Sequence, residues 1–272
     1  MKALLLAAGL GTRLRPLTNY LPKCLAPIGD RPLLEYWLAN LFDAGFEEVL
    51  VNTHYLNDLV VSYVRGTPWS DRTVLTYEPE LLGTAGTIRQ HRKFIGNKAV
   101  LVAHADNLSL FDPRELILRH SLRPHGCLMT MMTFETPDPG SCGIVGLDRN
   151  EIVTDFFEKV PNPPSNMANA AVYIIEPDVV ALIGKIDSAH PDFSTEVIPR
   201  LLGNIFTFHN SRFHMDIGTL SAWLTAQMTY PQIRKQGSFT DDSWSRILDR
   251  DGQRLRRALE EIRVTLNTEV TR

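Results

Sequence analysis

Residues 2–8 (KALLLAA) form an unbroken apolar run that stops at a glycine, and no other segment constrains the chain as much. A short run with no polar alternation suits a strand buried on both faces. Such a strand needs helices above and below it, so the chain reads as an α/β protein. The following residues keep that rhythm. Leu34, Trp37, Leu38, Leu41 and Phe42 recur at helical spacing, and Gly45 supplies a stop. Residues 49–52 read as a second strand, 56–64 as a helix, 73–77 as a third strand, 85–94 as a helix and 99–103 as a fourth strand leading to Asp106. This alternation predicts βαβ units with right-handed crossovers, a mostly parallel sheet, and functional loops at the carboxyl ends of its strands.

The second half changes character. Segments 127–135, 143–147, 152–159 and 170–175 read as strands with fewer helices between them, as antiparallel additions to the same sheet would. Residues 177–183 and 195–202 return to helix, and 205–208 and 212–215 to strand. No internal repeat or low-complexity linker divides the chain. The expected organisation is one domain over residues 1–227, with lobes of about 1–110 and 111–227, and a helical tail over 228–272. In the tail Arg246, Arg250, Arg254, Arg256, Arg257 and Arg263 accompany Trp244, Ile247, Leu248, Leu255, Leu259, Ile262 and Leu266 near helical spacing. That pattern predicts an amphipathic helix packed on the core or on a second copy of the chain.

Composition narrows the functional classes. The 272 residues carry 28 Lys+Arg against 31 Asp+Glu, a net charge of −3, so no global field recruits nucleic acid or an acidic membrane. A hydrophobic content of 44% excludes intrinsic disorder. A domain of this size buries roughly 75% of its unfolded surface and needs no covalent staples. Cys24, Cys127 and Cys142 are odd in number and form no C-x-x-C pair, which argues against a disulfide framework or a thiolate zinc site. No apolar run approaches the roughly 20 residues of a membrane helix. The first eight residues imitate a signal peptide only superficially, because they lead straight into a glycine-rich loop. A cytoplasmic location is expected.

That loop carries the chemistry. Glycines after a buried strand let backbone N–H groups approach a phosphate closely. The dinucleotide fingerprint G-x-G-x-x-G fails, because its third glycine is Leu14, and the P-loop pattern is absent. The loop instead brings Arg13, Arg15 and Lys23 to the mouth of the sheet. Gly9-Leu10-Gly11-Thr12-Arg13-Leu14-Arg15-Pro16-Leu17-Thr18, followed by Pro22-Lys23-Cys24-Leu25-Ala26-Pro27, resembles the G-x-G-T-R-L-x-P-L-T…P-K-x-L-x-P signature of sugar-1-phosphate nucleotidylyltransferases. Further family-like segments follow in order: Leu82-Gly83-Thr84-Ala85-Gly86, Ala105-Asp106-Asn107, Phe157-Glu158-Lys159, Asn169-Ala170-Ala171-Val172-Tyr173 and Met215-Asp216-Ile217-Gly218-Thr219. The resemblance covers roughly residues 1–227. It implies a three-layer, Rossmann-like nucleotidyltransferase fold with a mixed, mostly parallel sheet and an antiparallel extension on the sugar side.

The implied reaction is attack by a sugar 1-phosphate oxygen on the α-phosphorus of a nucleoside triphosphate, releasing pyrophosphate. Both reactants are anions, and a like-charge pair at 4 Å costs about 4 kcal/mol at an effective dielectric of 20. Catalysis must therefore rest on positioning and charge neutralisation, with little need of a protein nucleophile. The resemblance assigns Arg13 and Lys23 to the triphosphate, and Mg²⁺ to the two carboxylates of Asp106 and Asp216. Magnesium prefers oxygen ligands and usually takes one or two carboxylates plus phosphates and water. Arg13, Lys23 and Asp106 are thus the implied catalytic residues. Leu6, Ala8, Gly9, Gly11, Thr12, Glu78, Gly83 and Thr84 would join Arg13 and Lys23 around the nucleotide. Asn107, Gly143, Glu158, Lys159 and Asn169 would face the sugar phosphate.

Base and sugar are read less directly. A carboxylate at Glu78 accepts from both guanine N1–H and the exocyclic amine, whereas uracil and thymine offer one ring N–H; Glu80 competes for this role. GTP is favoured, with a mannose- or heptose-like sugar phosphate. Ala171 stands where the family pattern has glycine, and Val160 where it has proline, so the sugar stays open. The alternatives are a UTP- or dTTP-dependent glucose-1-phosphate enzyme and a non-catalytic nucleotide-sugar sensor. Retention of Arg13, Lys23, Asp106 and Asp216 argues against the sensor. The histidines form no zinc pattern, and Cys24 reads as a packed residue. The resemblance also makes a homo-oligomer plausible.

Overall fold

The computed structural model describes residues 1–233 and 256–263. In chain order its elements are β1 (Lys2–Leu6), β2 (Pro27–Ile28), β3 (Arg31–Pro32), α1 (Leu33–Asp43), β4 (Val49–Thr53), α2 (Asn57–Arg65), β5 (Thr73–Tyr77), α3 (Thr84–Gln90), α4 (Arg92–Ile95), β6 (Val100–His104) and β7 (Asn107–Leu110). They continue with α5 (Pro113–Ser121), β8 (Met129–Glu135), β9 (Gly143–Leu147), β10 (Val153–Glu158), β11 (Met167–Ile175), α6 (Pro177–Ile183), β12 (Ile205–His209), β13 (Phe213–Asp216) and α7 (Leu220–Ile233).

β1 is the centre of the sheet, as its apolar run requires. It pairs in parallel with β6 on one side and β4 on the other, and β4 pairs in parallel with β5. Alternation sends Ala3 and Leu5 into the core on one face and Leu4 into the core on the other. All three are fully buried. Helix α1 adds Trp37, Leu38 and Leu41 to the first core, whereas α3 adds Ile88 to the second.

Beyond β6 the sheet becomes antiparallel through β11. Residues Val172–Ile175 of β11 pair with β6, and Ala168 pairs with Ile144 of β9. β8 runs along the other edge of β11, with a register shift between Asn169 and Tyr173, and β12 closes that side in parallel. The β9–β10 hairpin therefore diverges from the end of β6, leaving a fork in the sheet beside Ala170 and Ala171. This mixed α/β sheet is the architecture expected above.

Several local expectations change. The helix expected over 85–94 is two helices, broken at His91, whose φ and ψ of −97° and 19° leave the helical region. The segment 195–202 is not an α-helix. It is a π-type turn over Phe193–Val197 followed by a 3₁₀ turn over Ile198–Leu201, where Pro199 has no N–H to continue a ladder. The strand expected over 212–215 is present as β13, but it pairs with β7 in a separate two-stranded ribbon. α7 runs through residue 227, where the tail was expected to begin. Residues 256–263 are helical, with Ala258 and Ile262 buried in the first core. The other tail positions, Trp244, Arg246, Ile247, Leu248, Arg250, Arg254, Leu255 and Leu266, lie outside the described residues.

Candidate active site

The loop after β1 folds into three consecutive 3₁₀ turns, Thr12–Leu14, Leu17–Asn19 and Lys23–Leu25. Gly11 starts this path at φ 62°, and a Cβ there would lie 2.9 Å from Thr18 Cγ2 and 3.2 Å from Lys23 Cβ. Only glycine combines that backbone angle with that proximity. The Thr18 hydroxyl donates to the Gly11 carbonyl at 2.7 Å. The loop is thus folded back on itself so that Lys23 points inward, while Thr12 and Arg13 stay exposed.

Lys23 is 6% exposed, and its ammonium donates to Asp106 Oδ2 at 2.6 Å and to Asp216 Oδ1 at 3.1 Å. Two aspartates far apart in sequence therefore converge on one cation. The convergence is built by the β7–β13 ribbon, in which Asp216 pairs with Asn107 and the Ile217 amide donates to the Asp106 carbonyl at 3.2 Å. β7 was not foreseen in the sequence. It is the element that fixes the spacing of the two acids. Burial penalises the Lys23 charge, but attraction to Asp106 and Asp216 outweighs that penalty and holds the ammonium above the usual lysine range. Burial likewise opposes ionisation of Asp106, and Lys23 and His104 overcome it, leaving the carboxyl below its usual range. The Asp106 and Asp216 side chains keep 32% and 53% of their exposure, so the cluster opens to solvent.

Arg13 joins the same cluster. A Cβ on Gly218 would sit 2.7 Å from Asp216 Oδ2 and 3.2 Å from Arg13 Nη2, so the acid and the guanidinium both border the bare backbone of Gly218. Two carboxylates turned toward one point are hard oxygen donors suited to a divalent ion such as magnesium. Among the described residues no group of three or more His, Cys, Asp or Glu side chains forms a metal cluster, so an ion here would take its remaining ligands from phosphate and water. Cys24, beside Lys23, is 1% exposed, and burial pushes its thiol up to about 12, which suits packing and not attack.

The other nucleotide-side residues lie along the carboxyl edge of the parallel strands. Leu6 ends β1 and its carbonyl accepts from the Ala105 amide, Ala8 is buried, and Gly9 is exposed. Gly83 sits at φ 79°, where a Cβ would meet the Pro191 carbonyl oxygen at 2.6 Å. Two of these residues also carry bonds within the protein. The Thr84 hydroxyl donates to Asp192 at 2.9 Å and accepts from the Phe193 amide at 2.7 Å, so its side chain is committed within the protein. Glu78 is 3% exposed, and its Oε1 belongs to an internal hydrogen-bond network. Asn52 and Thr87, which supply that network, carried no signal in the sequence.

The residues that the resemblance assigns to the sugar phosphate lie around the fork. Asn107 is buried and donates to the Ala170 carbonyl at 3.2 Å. Gly143 pairs with Glu158 across the β9–β10 hairpin, and a Cβ at 143 would lie 2.7 Å from Glu158 Oε2. Lys159 has φ 50°, and its ammonium lies 3.3 Å from Glu158 Oε1. Asn169 carries internal bonds: its Nδ2 donates to the Tyr173 hydroxyl at 2.7 Å and its Oδ1 accepts from the Ala171 amide at 2.9 Å. It braces the irregularity in β11, and both ends of its amide are engaged there.

A family model described as nucleotidyl transferase matches residues 2–233. A mannose-1-phosphate guanyltransferase of Pichia angusta is 28% identical over 238 residues, covering 85% of this chain and 64% of that protein. A probable mannose-1-phosphate guanylyltransferase 1 of Oryza sativa subsp. japonica is 29% identical over 245 residues, covering 87% and 66%. The chain thus spans just under two thirds of the length of these relatives. Among solved structures, a putative glucose-1-phosphate thymidylyltransferase from Bacillus anthracis in complex with a sucrose superposes with a TM-score of 0.76 at 21% identity, covering 90% of this chain and 99% of that one. HddC from Yersinia pseudotuberculosis, complexed with GMP-PN, superposes with a TM-score of 0.71 at 23% identity, covering 84% and 99%. At these identities the superpositions establish a shared fold.

Proposed function

This chain belongs to the nucleotidyl transferase family, and on that premise we propose that it transfers a nucleoside monophosphate from GTP to a sugar 1-phosphate, releasing pyrophosphate. The observation that carries the proposal is the convergence of Lys23, Asp106 and Asp216 at the end of the glycine-rich loop, with Arg13 beside them. Two mutually repelling phosphates need this concentration of fixed charge before they can meet.

Each group has a part set by its chemistry. Arg13, exposed and permanently charged, binds the triphosphate and stabilises charge accumulating on the departing pyrophosphate. Lys23 is a buried point charge held at the reacting centre, where phosphate oxygens replace carboxylates as its partners. Asp106 and Asp216 would hold a divalent ion, Mg²⁺ by preference for an all-oxygen set, which when bound adds positive charge to the phosphate oxygens. Lys159 faces the sugar phosphate, and Glu158, packed against the bare backbone of Gly143, accepts from sugar hydroxyls. No protein nucleophile is required, because the sugar phosphate supplies the attacking oxygen.

GTP is favoured on two grounds: the guanylyltransferase names of the sequence relatives and the carboxylate of Glu78, which the resemblance sets beside the base. Among the described residues no helix is long and apolar enough to cross a membrane, and all three cysteines are free thiols.

The test is pyrophosphate release by the purified protein with Mg²⁺, each of GTP, UTP and dTTP, and a panel of sugar 1-phosphates. Release is expected with GTP and a mannose- or heptose-type acceptor. Release with UTP or dTTP alone would overturn the base assignment, and none with any pair would overturn the enzymatic reading. Asp106→Asn and Asp216→Asn are expected to lower turnover by at least about a hundredfold while the protein stays folded.

A further inference from the structure

Glu78 lies immediately after β5, with its backbone amide donating to the Thr53 carbonyl at 2.8 Å. Its carboxylate is almost wholly buried, at 3% exposure, and a buried acid must find donors. Asn52 Nδ2 donates to Glu78 Oε1 at 2.9 Å, and the Thr87 hydroxyl donates to the same oxygen at 2.7 Å. Asn52 Nδ2 also donates to Thr87 Oγ1 at 3.2 Å, closing a ring of three side chains from β4, the β5 end and α3. Both lone pairs of Oε1 are used. Oε2 accepts from the Leu82 amide at 3.5 Å, and the His91 ring lies close enough to feel the charge of Glu78.

The orientation of Asn52 is fixed by its other end. Its Oδ1 accepts from the Ala7 amide at 2.7 Å, so the amide nitrogen must face Glu78. Ala7 is the first residue after β1, at the start of the loop that carries Arg13 and Lys23. One side chain thus ties the phosphate-side turn to the carboxylate on the base side. The Thr87 hydroxyl has one proton and two acceptors in reach, Glu78 and, at 3.3 Å, the Gly83 carbonyl. The shorter, charge-assisted bond to Glu78 takes it.

We infer that Asn52 and Thr87 are positioning residues for nucleobase selection: by holding Oε1 from two sides they fix the plane of the Glu78 carboxylate, and Oε2, bonded only at long range by the Leu82 amide, is the oxygen turned to the donors of guanine. This rests on the GTP reading above. A uracil or thymine ring offers one N–H where guanine offers two donors, so it makes one hydrogen bond fewer to this carboxylate, which costs binding. A hydrogen-bonding site discriminates strongly against an analogue that lacks one of its donors. Inosine triphosphate is that analogue, since it differs from GTP only by the missing 2-amino group.

The experiment is calorimetric titration of GTP, ITP and UTP into the full chain with Mg²⁺, with the melting temperature of each variant as a folding control. The wild type is expected to bind GTP at least about tenfold more tightly than ITP. Thr87→Val and Asn52→Leu remove the donors at similar volume, and each is expected to lower the GTP:ITP ratio about tenfold, mostly through weaker GTP binding. Thr87→Ser keeps the hydroxyl and is expected to keep the ratio. A purely structural brace predicts something else: loss of melting temperature and equal weakening of both triphosphates, with the ratio unmoved. That result, or an unchanged ratio in Thr87→Val, overturns the inference while GTP preference stands. Tighter binding of UTP than GTP by the wild type overturns both.

Discussion

Ala171 adopts φ 52°, a left-handed conformation that puts its Cβ close to the following carbonyl at a cost of about 1–2 kcal/mol. The strain is held in place by the Asn169 carboxamide and by the register shift that bends β11 around the fork. Glycine would relieve it, although its looser unfolded chain takes back part of the gain. Ala171→Gly is therefore expected to stabilise the fold by about 0.5–1 kcal/mol, where the same change at an unstrained strand position would destabilise by that amount. Urea unfolding reads the sign directly. A second residue-scale prediction concerns His120, which is 4% exposed, with Nδ1 at 2.8 Å from Thr130 Oγ1 and Nε2 at 3.2 Å from Glu176 Oε1. Burial and the neighbouring Arg123 charge hold its pKa below the usual histidine value, against the opposing pull of Glu176. The unfolded chain then binds the proton first, so this contribution is complete above about pH 6.5 and is lost as pH falls toward the folded value. The expected slope is at most about 1.4 kcal/mol per pH unit from this group, and His120→Gln should flatten the pH 7 to pH 5 stability curve by that share. An unchanged curve would show that His120 charges equally in both states. Residues differ in how legible they are for a related reason. Arg13, Lys23, Asp106 and Asp216 stand inside long local patterns, so the sequence exposes them. Asn52 and Thr87 act only through bonds to Glu78 that span 26 and 9 positions, and an asparagine at a strand end looks like any other.

Elements were readable wherever local periodicity decided the outcome. β1, β4, β5 and β6 are short apolar runs with glycine or charged boundaries, and all four lie where the pattern put them. Elements whose identity depends on a distant partner were not. β7 is a four-residue strand that exists to pair with β13, and without it the two acids of the site would have no common frame. α5 begins at an Asp112 cap, whose side chain accepts from the Arg114 amide, with Pro113 in its first turn; that signal was present but unread. At this scale the β9–β10 hairpin makes the sharpest prediction. A Cβ at Gly143 would lie 2.5 Å from Phe156 Cζ and 2.7 Å from Glu158 Oε2, so both β10 side chains must move. Gly143→Ala is expected to cost about 1–3 kcal/mol in stability. It should also raise KM for the sugar phosphate roughly tenfold, since displaced positioning groups act on the substrate they face, with KM for the triphosphate little changed. Steady-state kinetics with each substrate varied in turn separates the two, and equal effects on both would place Gly143 outside the sugar side.

On the scale of the whole molecule, the proposed function sets one substrate at the carboxyl ends of the parallel strands and the other at the antiparallel fork. Both meet at a loop that has little regular structure of its own. Such a loop is ordered only as far as its surroundings hold it. Part of that support comes from the far end of the chain. The helix at residues 256–263 sends Ala258 and Ile262 into the same core as Leu14, Leu17 and Leu25 of the loop, and the Tyr20 hydroxyl donates to Glu261. Sequence periodicity suggested an amphipathic helix here but could not say which surface it covers. If the helix braces the loop, disturbing it should act on triphosphate binding from outside the site. Ile262 is 4% exposed, so Ile262→Asp buries an unpaired carboxylate and is expected to destabilise by about 3 kcal/mol or undock the helix. In either case KM for GTP should rise several-fold, because Arg13 and Lys23 are held by the loop that loses its cover. Tyr20→Phe, which keeps the ring and deletes only the bond to Glu261, should give a smaller shift in the same direction. A normal KM for GTP in a protein whose melting temperature has fallen would mean that the helix stabilises the domain without bracing the loop.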